Sequence, residues 1–439
     1  MYESIAAIAT APAAGGIAVI RISGKTAVSV AEKVFEPFGK TEVKDFKPNV
    51  MYYGKIFGQG VVDYGYLVIF RSPRSFTGED VAELHCHGGV QLSRSVLKNV
   101  FANGARPAAA GEFTRRAFLN GKLSLSSCEG MADMINGESL AEVRAGSLLY
   151  SEKLTSKVKK IQLELTNLLA QIGADIDYPE EDVEGARPDE VNAVLTKAYG
   201  DVCGIASSYD GGKKIKNGVS VAICGVPNAG KSSLLNAMLG FEKAIVSAEA
   251  GTTRDVVEGC IQIDGVNFNL FDTAGIREGS GEVERIGINR ARRTIEGCDI
   301  ALLVFETFGE DEKNILSGVT CPVIKVCSKS DLKNASSEAD ICVSSVTGEG
   351  IEKLKKMMRD ISLPEGSLDG AFLIEERHYM ALNRAKEALS SAISHLGDYP
   401  LDVISLDIKA AWDILGEITG ETASEEVINT IFARFCVGK

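Results

Sequence analysis

At 439 residues the chain exceeds what one hydrophobic core usually serves, so it divides into two or three domains. Hydrophobic residues at 45% and charged residues at 24% are the proportions of a soluble globular protein, and no apolar run reaches the length of a membrane-spanning helix. The net charge of −13 excludes a coat of basic surface, so any nucleic acid must be met through a local patch or a partner's positive face.

Ten cysteines occur singly, without a CxxC pair, which fits a reducing cytoplasm better than a disulfide framework or a zinc site. The opening "MYESIAAIATAPAAGG" has the small residues of a signal peptide, yet carries Glu3 and no Lys or Arg before Arg21. It therefore reads as a first strand. Up to Leu119, β-rich runs such as "GGIAVIRISG" and "YGYLVIFRSP" alternate with Gly and Pro, and one helical pattern, "VQLSRSVLKNVF", interrupts them. This block (1–119) is an α+β domain. His85 and His87 flank Cys86, but four spaced metal ligands are not visible.

Helical sequence then appears twice. Ile161, Leu165, Leu168 and Ile172 draw one apolar stripe, and Ile404, Ile408, Trp412 and Leu415 draw another. We read 120–217 and 366–439 as one helical domain split by an insertion, with Pro179 and the acidic run after it ending a helix. Between them, 218–365 alternates helices with the short apolar strands "VSVAIC", "IALLVF", "PVIKVC" and "ICVSS", the pattern of a mostly parallel sheet. Asp264-Gly265 in "CIQIDGVNFNLFD" marks a hairpin that adds an antiparallel strand.

The insertion carries the chemistry. "GVPNAGKS" follows a strand and opens the helix "SSLLNAML". Gly225 and Gly230 let backbone N–H groups face phosphate oxygens, Lys231 reaches the β- and γ-phosphates, and Ser232 ligates magnesium. "DTAG" offers Asp272 to the metal's water shell and the Gly275 N–H to the γ-phosphate, while Thr253 of "GTTRD" can close over the ion. In "SKSD", Asp331 can accept the two N–H groups of a guanine edge and Lys329 lies along the purine, with "SSVTGEG" beneath. Together these make a GTPase of the Ras-like kind. Where many such enzymes place a water-orienting Gln after DxxG, Ile276 stands. Arg277, Glu282 and Glu284 follow as charged residues of the same loop, and a mobile switch segment explains them equally well.

The final Cys436-Val437-Gly438-Lys439 is no prenylation box, since Gly438 and Lys439 break its pattern. These four residues, with "GVPNAGKSSLLN", "GTTRD", "DTAGIREGSGEVERIG", "FTGEDVAELHCHGG" and "GEFTRRAFLNGKLSL", closely resemble the MnmE (TrmE) family of tRNA-modification GTPases, over the whole length and in its domain order. The resemblance implies a multidomain α/β protein: an α+β folate-binding domain, an all-α helical domain and an inserted GTPase domain. It implies a cytoplasmic homodimer that works on tRNA with the FAD protein MnmG. Together they build an aminomethyl or carboxymethylaminomethyl group on carbon five of the wobble uridine. The one-carbon unit would come from a 5-formyl- or methylene-tetrahydrofolate.

By position, the resemblance implies GTP contacts at Asn228, Ala229, Gly230, Lys231, Ser232 and Ser233, then at Ser247, Ala248, Glu249, Ala250, Gly251, Thr252 and Thr253. Asp272, Thr273, Ala274, Gly275, Lys329 and Asp331 complete them. Asn228, Ser247, Glu249 and Thr252 would hold potassium where an arginine finger would otherwise act, and Ser232 and Thr253 would hold magnesium. Glu284 would orient the attacking water. Arg21, Glu83, Lys122 and Lys439 would contact the folate, and Cys436 would be catalytic, its thiol held near the one-carbon unit. The sequence departs from the family where Ser328 replaces the Asn of NKxD, where Ala110 replaces a Pro, and at "SLSSCEG". Two rivals remain open on sequence: an RNA-binding GTPase that modifies nothing, and a folate-dependent methyltransferase with a regulatory GTPase.

Overall fold

The computed structural model describes residues 3–177, 187–240, 259–272, 297–317, 319–332, 336–363 and 375–439. They form two compact units. The first comprises 1–132, 150–186 and 401–439, and the second 133–149 and 187–400.

In the first unit β1 (Ile5–Ile8), β2 (Ile17–Ser23), β3 (Phe35–Pro37), β4 (Met51–Phe57), β5 (Val62–Phe70), β6 (Val81–His87) and β7 (Arg106–Pro107) make one sheet in the order β3-β4-β5-β6-β2-β1-β7. Side chains alternate across a strand, so Ile20, Ile22, Leu67, Ile69, Ala82 and Leu84 share one face. They are buried with residues of α1 (Ala27–Val34) and α2 (Val90–Ala102). The same alternation sends Arg21 and Glu83, direct partners across β2 and β6, to the opposite face. There Ile5, Ala7 and Phe113 of α3 (Glu112–Leu119) form a second small core.

Beyond α3 come α4 (Leu125–Asn136), α5 (Leu140–Tyr150) and α6 (Lys153–Asp177). The stripe Ile161, Leu165, Leu168 and Ile172 of α6 packs on α13 (Leu401–Thr419), where Ile404, Ile408 and Leu415 are fully buried. Trp412 lies on the flank of that seam: its indole N–H donates to Thr166 Oγ1 at 2.9 Å, and its carbonyl accepts from Gln162 at 3.2 Å. Two stripes read separately in the sequence thus become one interface across 250 residues of chain. α14 (Glu425–Ala433) follows, capped by Ser424.

The second unit contains α7 (Pro188–Ala206), α8 (Tyr209–Asn217), β8 (Val219–Cys224), α9 (Lys231–Gly240), β9 (Gly259–Ile263), β10 (Val266–Asp272) and β11 (Ile300–Phe305). α10 (Glu310–Leu316), β12 (Val323–Cys327), β13 (Ile341–Cys342), α11 (Ile351–Ser362) and α12 (Glu376–His395) complete it, together with nearly all of α5 and the end of α4. Its sheet runs β13-β12-β11-β8-β10-β9, parallel throughout except for β9 against β10. The pairing of Ile263 with Val266 leaves Asp264 and Gly265 as the two-residue turn that the sequence signals. Every residue of β11 is buried, as expected for a central parallel strand with both faces covered.

A buried ionic triad sits where the chain enters and leaves the α/β segment of this unit. Lys216, at the end of α8, binds Asp133 Oδ1 at 2.8 Å and also binds Glu375, just before α12. Two carboxylates against one ammonium leave an excess negative charge. Burial, with Glu375 adding to it, pushes the Asp133 carboxyl up to about 7. The folded chain then keeps a proton that the unfolded chain releases, and the resulting cost grows from about pH 4 to about pH 7 and stays constant above. We expect Lys216→Ala to destabilise by about 3–5 kcal/mol, since it removes the ammonium that two buried carboxylates share. Asp133→Asn should gain stability relative to the parent chain as pH rises from about 5 to about 8, measured by denaturant titration. A difference that does not change with pH contradicts this reading.

Candidate functional site

Three parallel strands of the second unit end together, and the loops that leave them build the first site. β8 gives way to Gly225, where a Cβ would stand 2.1 Å from the Val304 carbonyl oxygen, so only glycine lets the loop cross β11. Lys231, 7% exposed, folds into the loop and donates to the carbonyls of Gly225 at 2.9 Å and Val226 at 2.8 Å. Burial lowers its pKa, against the opposing pull of Asp272. An ammonium at the centre of a loop that opens the helix α9 is a ready counter-charge for phosphate.

The register that pairs Asp272 with Ile223 brings the β10 carboxylate to the same edge, and Ser232 Oγ donates to Asp272 Oδ2 at 3.1 Å. A hydroxyl and a carboxylate at this spacing are the hard oxygen donors that magnesium takes. Residues 241–258 and 273–296 lie outside the described residues. They contain the expected Ser247, Ala248, Glu249, Ala250, Gly251, Thr252, Thr253, Thr273, Ala274, Gly275 and Glu284.

After β12 the chain forms the loop Ser328–Asp331. Asp331 Oδ1 accepts from Ser344 Oγ at 2.7 Å, which orients the carboxylate. Lys329 is ion-paired with Glu306 and also lies 3.4 Å from the Asn228 carbonyl. Ser328 Oγ donates into the phosphate loop, with the Ala229 carbonyl at 2.7 Å and that of Phe305 at 3.2 Å. Its hydroxyl ties the loop Ser328–Asp331 to the loop that carries Ala229. Glu306 was not singled out from sequence; its signal is its place directly after the apolar run "IALLVF".

The second constellation belongs to the first unit. Arg21 Nε donates to Glu83 Oε1 at 2.8 Å, and the guanidinium lies 5.7 Å from the ring centres of both Phe76 and Phe113. Burial alone would raise the Glu83 pKa, but His85 and Arg21 outweigh it and hold the carboxyl below its ordinary value. Lys122 Nζ donates to the Pro73 carbonyl at 3.1 Å, at the base of the loop that carries Phe76. The result is a donor–acceptor pair walled by two aromatic rings. Phe76 and Phe113 lie inside the quoted runs "FTGEDVAELHCHGG" and "GEFTRRAFLNGKLSL" but were not singled out, because an apolar ring within a polar run shows no chemistry of its own in the sequence. Cys86 faces the core and sets its Sγ 3.6 Å from the Ala18 carbonyl, away from His85 and His87, and the described residues hold no metal-ligating cluster.

The segment Cys436–Lys439 is docked here. Its backbone oxygens accept from Gly111 N (Cys436, 3.5 Å) and Phe113 N (Lys439, 3.2 Å), and Val437 bridges Ala110. Phe435 is buried beside Phe432 and Leu125, while the Cys436 thiol remains exposed. Gly438, at φ 102°, permits the fit, for a Cβ would stand 2.3 Å from the Ile8 carbonyl oxygen. Gly438→Ala should therefore cost about 1–3 kcal/mol locally and release the segment. Hydrogen exchange at Phe113 and Lys439 should accelerate while nucleotide binding is retained; unchanged protection would contradict the docking.

Two family models match the chain. The model described as the N-terminus of the GTP-binding protein TrmE covers residues 4–122, and that of the MnmE helical domain covers 125–436. The tRNA modification GTPase MnmE of Natranaerobius thermophilus is 38% identical over 459 residues, covering 100% of this chain and 99% of that protein. That of Thermoanaerobacter pseudethanolicus is 37% identical over 465 residues, covering both chains in full. Among solved structures, the G domain of the T. maritima FeoB iron transporter is 28% identical and covers 33% of this chain and 98% of its own, at a TM-score of 0.25. With full-length relatives and both family models in agreement with the motifs, this chain belongs to the MnmE family of tRNA modification GTPases.

Proposed function

We propose that the chain hydrolyses GTP and that this cycle drives modification of the wobble uridine of certain tRNAs in the cytoplasm. The observation that carries the reading is the convergence of Lys231, Ser232, Asp272 and Asp331 on the loops at one edge of a parallel sheet. On nucleotide binding, Lys231 exchanges the carbonyls of Gly225 and Val226 for β- and γ-phosphate oxygens. Ser232 and Thr253 would hold magnesium, and Asn228, Ser247, Glu249 and Thr252 would hold potassium; these ions would supply positive charge beside the transferring phosphoryl group. Glu284 holds the attacking water, a task closed to Ile276.

In the first unit, Arg21 and Glu83 suit the donor–acceptor edge of a pterin, with Phe76 and Phe113 along it. Lys122 and Lys439 are the cations for folate carboxylates. Cys436, exposed on its docked segment, acts at the one-carbon unit of a 5-formyl- or methylene-tetrahydrofolate. The acceptor chemistry, an aminomethyl or carboxymethylaminomethyl group on carbon five, requires the FAD protein MnmG. A homodimer is supported by an apolar surface formed by Tyr53 of β4, Tyr64 and Tyr66 of β5 and Phe38 just after β3, all more than 40% exposed.

Hydrolysis by the purified chain should fall by about 10²-fold when sodium replaces potassium. In cells lacking the chain, wobble uridine should lose its substituent, and the parent sequence but not Cys436→Ser should restore it. Equal rates in both salts remove potassium from the reading, and unaltered uridine removes the tRNA role.

A further inference from the structure

We propose that, among the described residues, the site reads a guanine base along its N1–C2 edge, through Asp331, and offers N7 no side-chain donor, because Ser328 gives its hydroxyl proton to protein carbonyls. The inference rests on the guanine-nucleotide reading above and deepens it.

Guanine presents its N–H donors on one edge and two bare acceptors, O6 and N7, on the other. An acceptor can be recognised only by a donor, so the question is which protons the base-reading loop has left. Ser328 has a single hydroxyl proton. The group is buried, with the Ala229 carbonyl at 2.7 Å and the Phe305 carbonyl at 3.2 Å, and either acceptor consumes that proton. The Ser328 backbone N–H is equally engaged, donating to the Phe305 carbonyl at 2.8 Å.

The next side chains offer no substitute. Lys329 is drawn to the Glu306 carboxylate and the Asn228 carbonyl. The Ser330 Oγ is buried and has no hydrogen-bond partner, so it points into the protein rather than into an open base pocket. Its backbone N–H donates to the Val343 carbonyl at 3.2 Å. Ser344 gives its hydroxyl proton to Asp331.

The stoichiometry of donors explains what the residue at 328 decides. An amide side chain carries two protons on one nitrogen and reaches one bond further than a hydroxyl, so it can hold the phosphate loop and donate to N7 together. A serine can do only one of these, and here it does the first. The base-reading loop keeps its attachment to Ala229 at the expense of a contact to the ligand. Discrimination against adenine survives, because it resides in Asp331. Sensitivity to the atom at position seven does not.

The test is equilibrium titration of the full chain with GDP and with 7-deaza-GDP, in which a C–H replaces N7, at equal magnesium and with ADP as control. One neutral hydrogen bond is worth about two- to twelvefold in affinity. We expect GDP and 7-deaza-GDP to bind the parent chain within about twofold of each other, and Ser328→Asn to prefer GDP by about three- to tenfold. Ser328→Ala should weaken both ligands by the same factor, since it cuts only the tie to Ala229. A parent chain that prefers GDP over the 7-deaza analogue by about tenfold overturns the inference while leaving the guanine reading intact. A chain that binds ADP as tightly as GDP overturns the guanine reading itself, and this inference with it.

Discussion

Ile223 lies opposite Asp272, Cys224 opposite Leu303, and Phe305 opposite Cys327, and this parallel register is the constraint on which the nucleotide site depends. Strands that end level with one another release their loops into one crevice, the usual place for a ligand in an open α/β sheet. Residues far apart in sequence then meet without any long-range search: Ser232 reaches Asp272, Ser328 reaches Ala229, and Lys329 reaches Asn228. A slip of one residue in β8 would turn every side chain over and carry Gly225 away from the Val304 carbonyl.

The first unit uses antiparallel register to the same end. Arg21 and Glu83 are cross-strand partners, so their pairing follows from the sheet and needs only the aromatic walls to complete it. One of those walls, Phe113, lies on the helix whose first turn is also where the backbone of Lys439 docks. The exposed thiol of Cys436 is therefore carried by a segment held through main-chain bonds and a buried phenylalanine, not by a loose end. That arrangement fixes the backbone of the segment while leaving its thiol exposed.

Much of this was legible in the sequence, for physical reasons that differ by feature. The phosphate loop was readable because a sharp turn into a helix demands glycine at set positions, and the strands because buried parallel strands read as apolar runs. The α6 and α13 stripes were readable by period and were placed in one helical domain, though periodicity says which face is buried and not which helix it meets. Glu306, Phe76, Phe113 and the triad of Asp133, Lys216 and Glu375 were invisible, because their roles arise only when distant segments meet. Ser328 is the instructive case. Sequence showed a serine where the family resemblance expects an amide; the structure shows where its hydroxyl goes.

The central claim is that Asp331 selects guanine at a phosphate site built on Lys231. Exchanging its acceptor oxygen for a donor amide in Asp331→Asn should reverse the preference, because xanthine presents a carbonyl where guanine presents an amine. Competition between GDP and xanthosine diphosphate for this variant measures it directly. The account predicts that the variant loses GDP and gains the xanthine nucleotide. A variant that holds GDP as the parent chain does would contradict it.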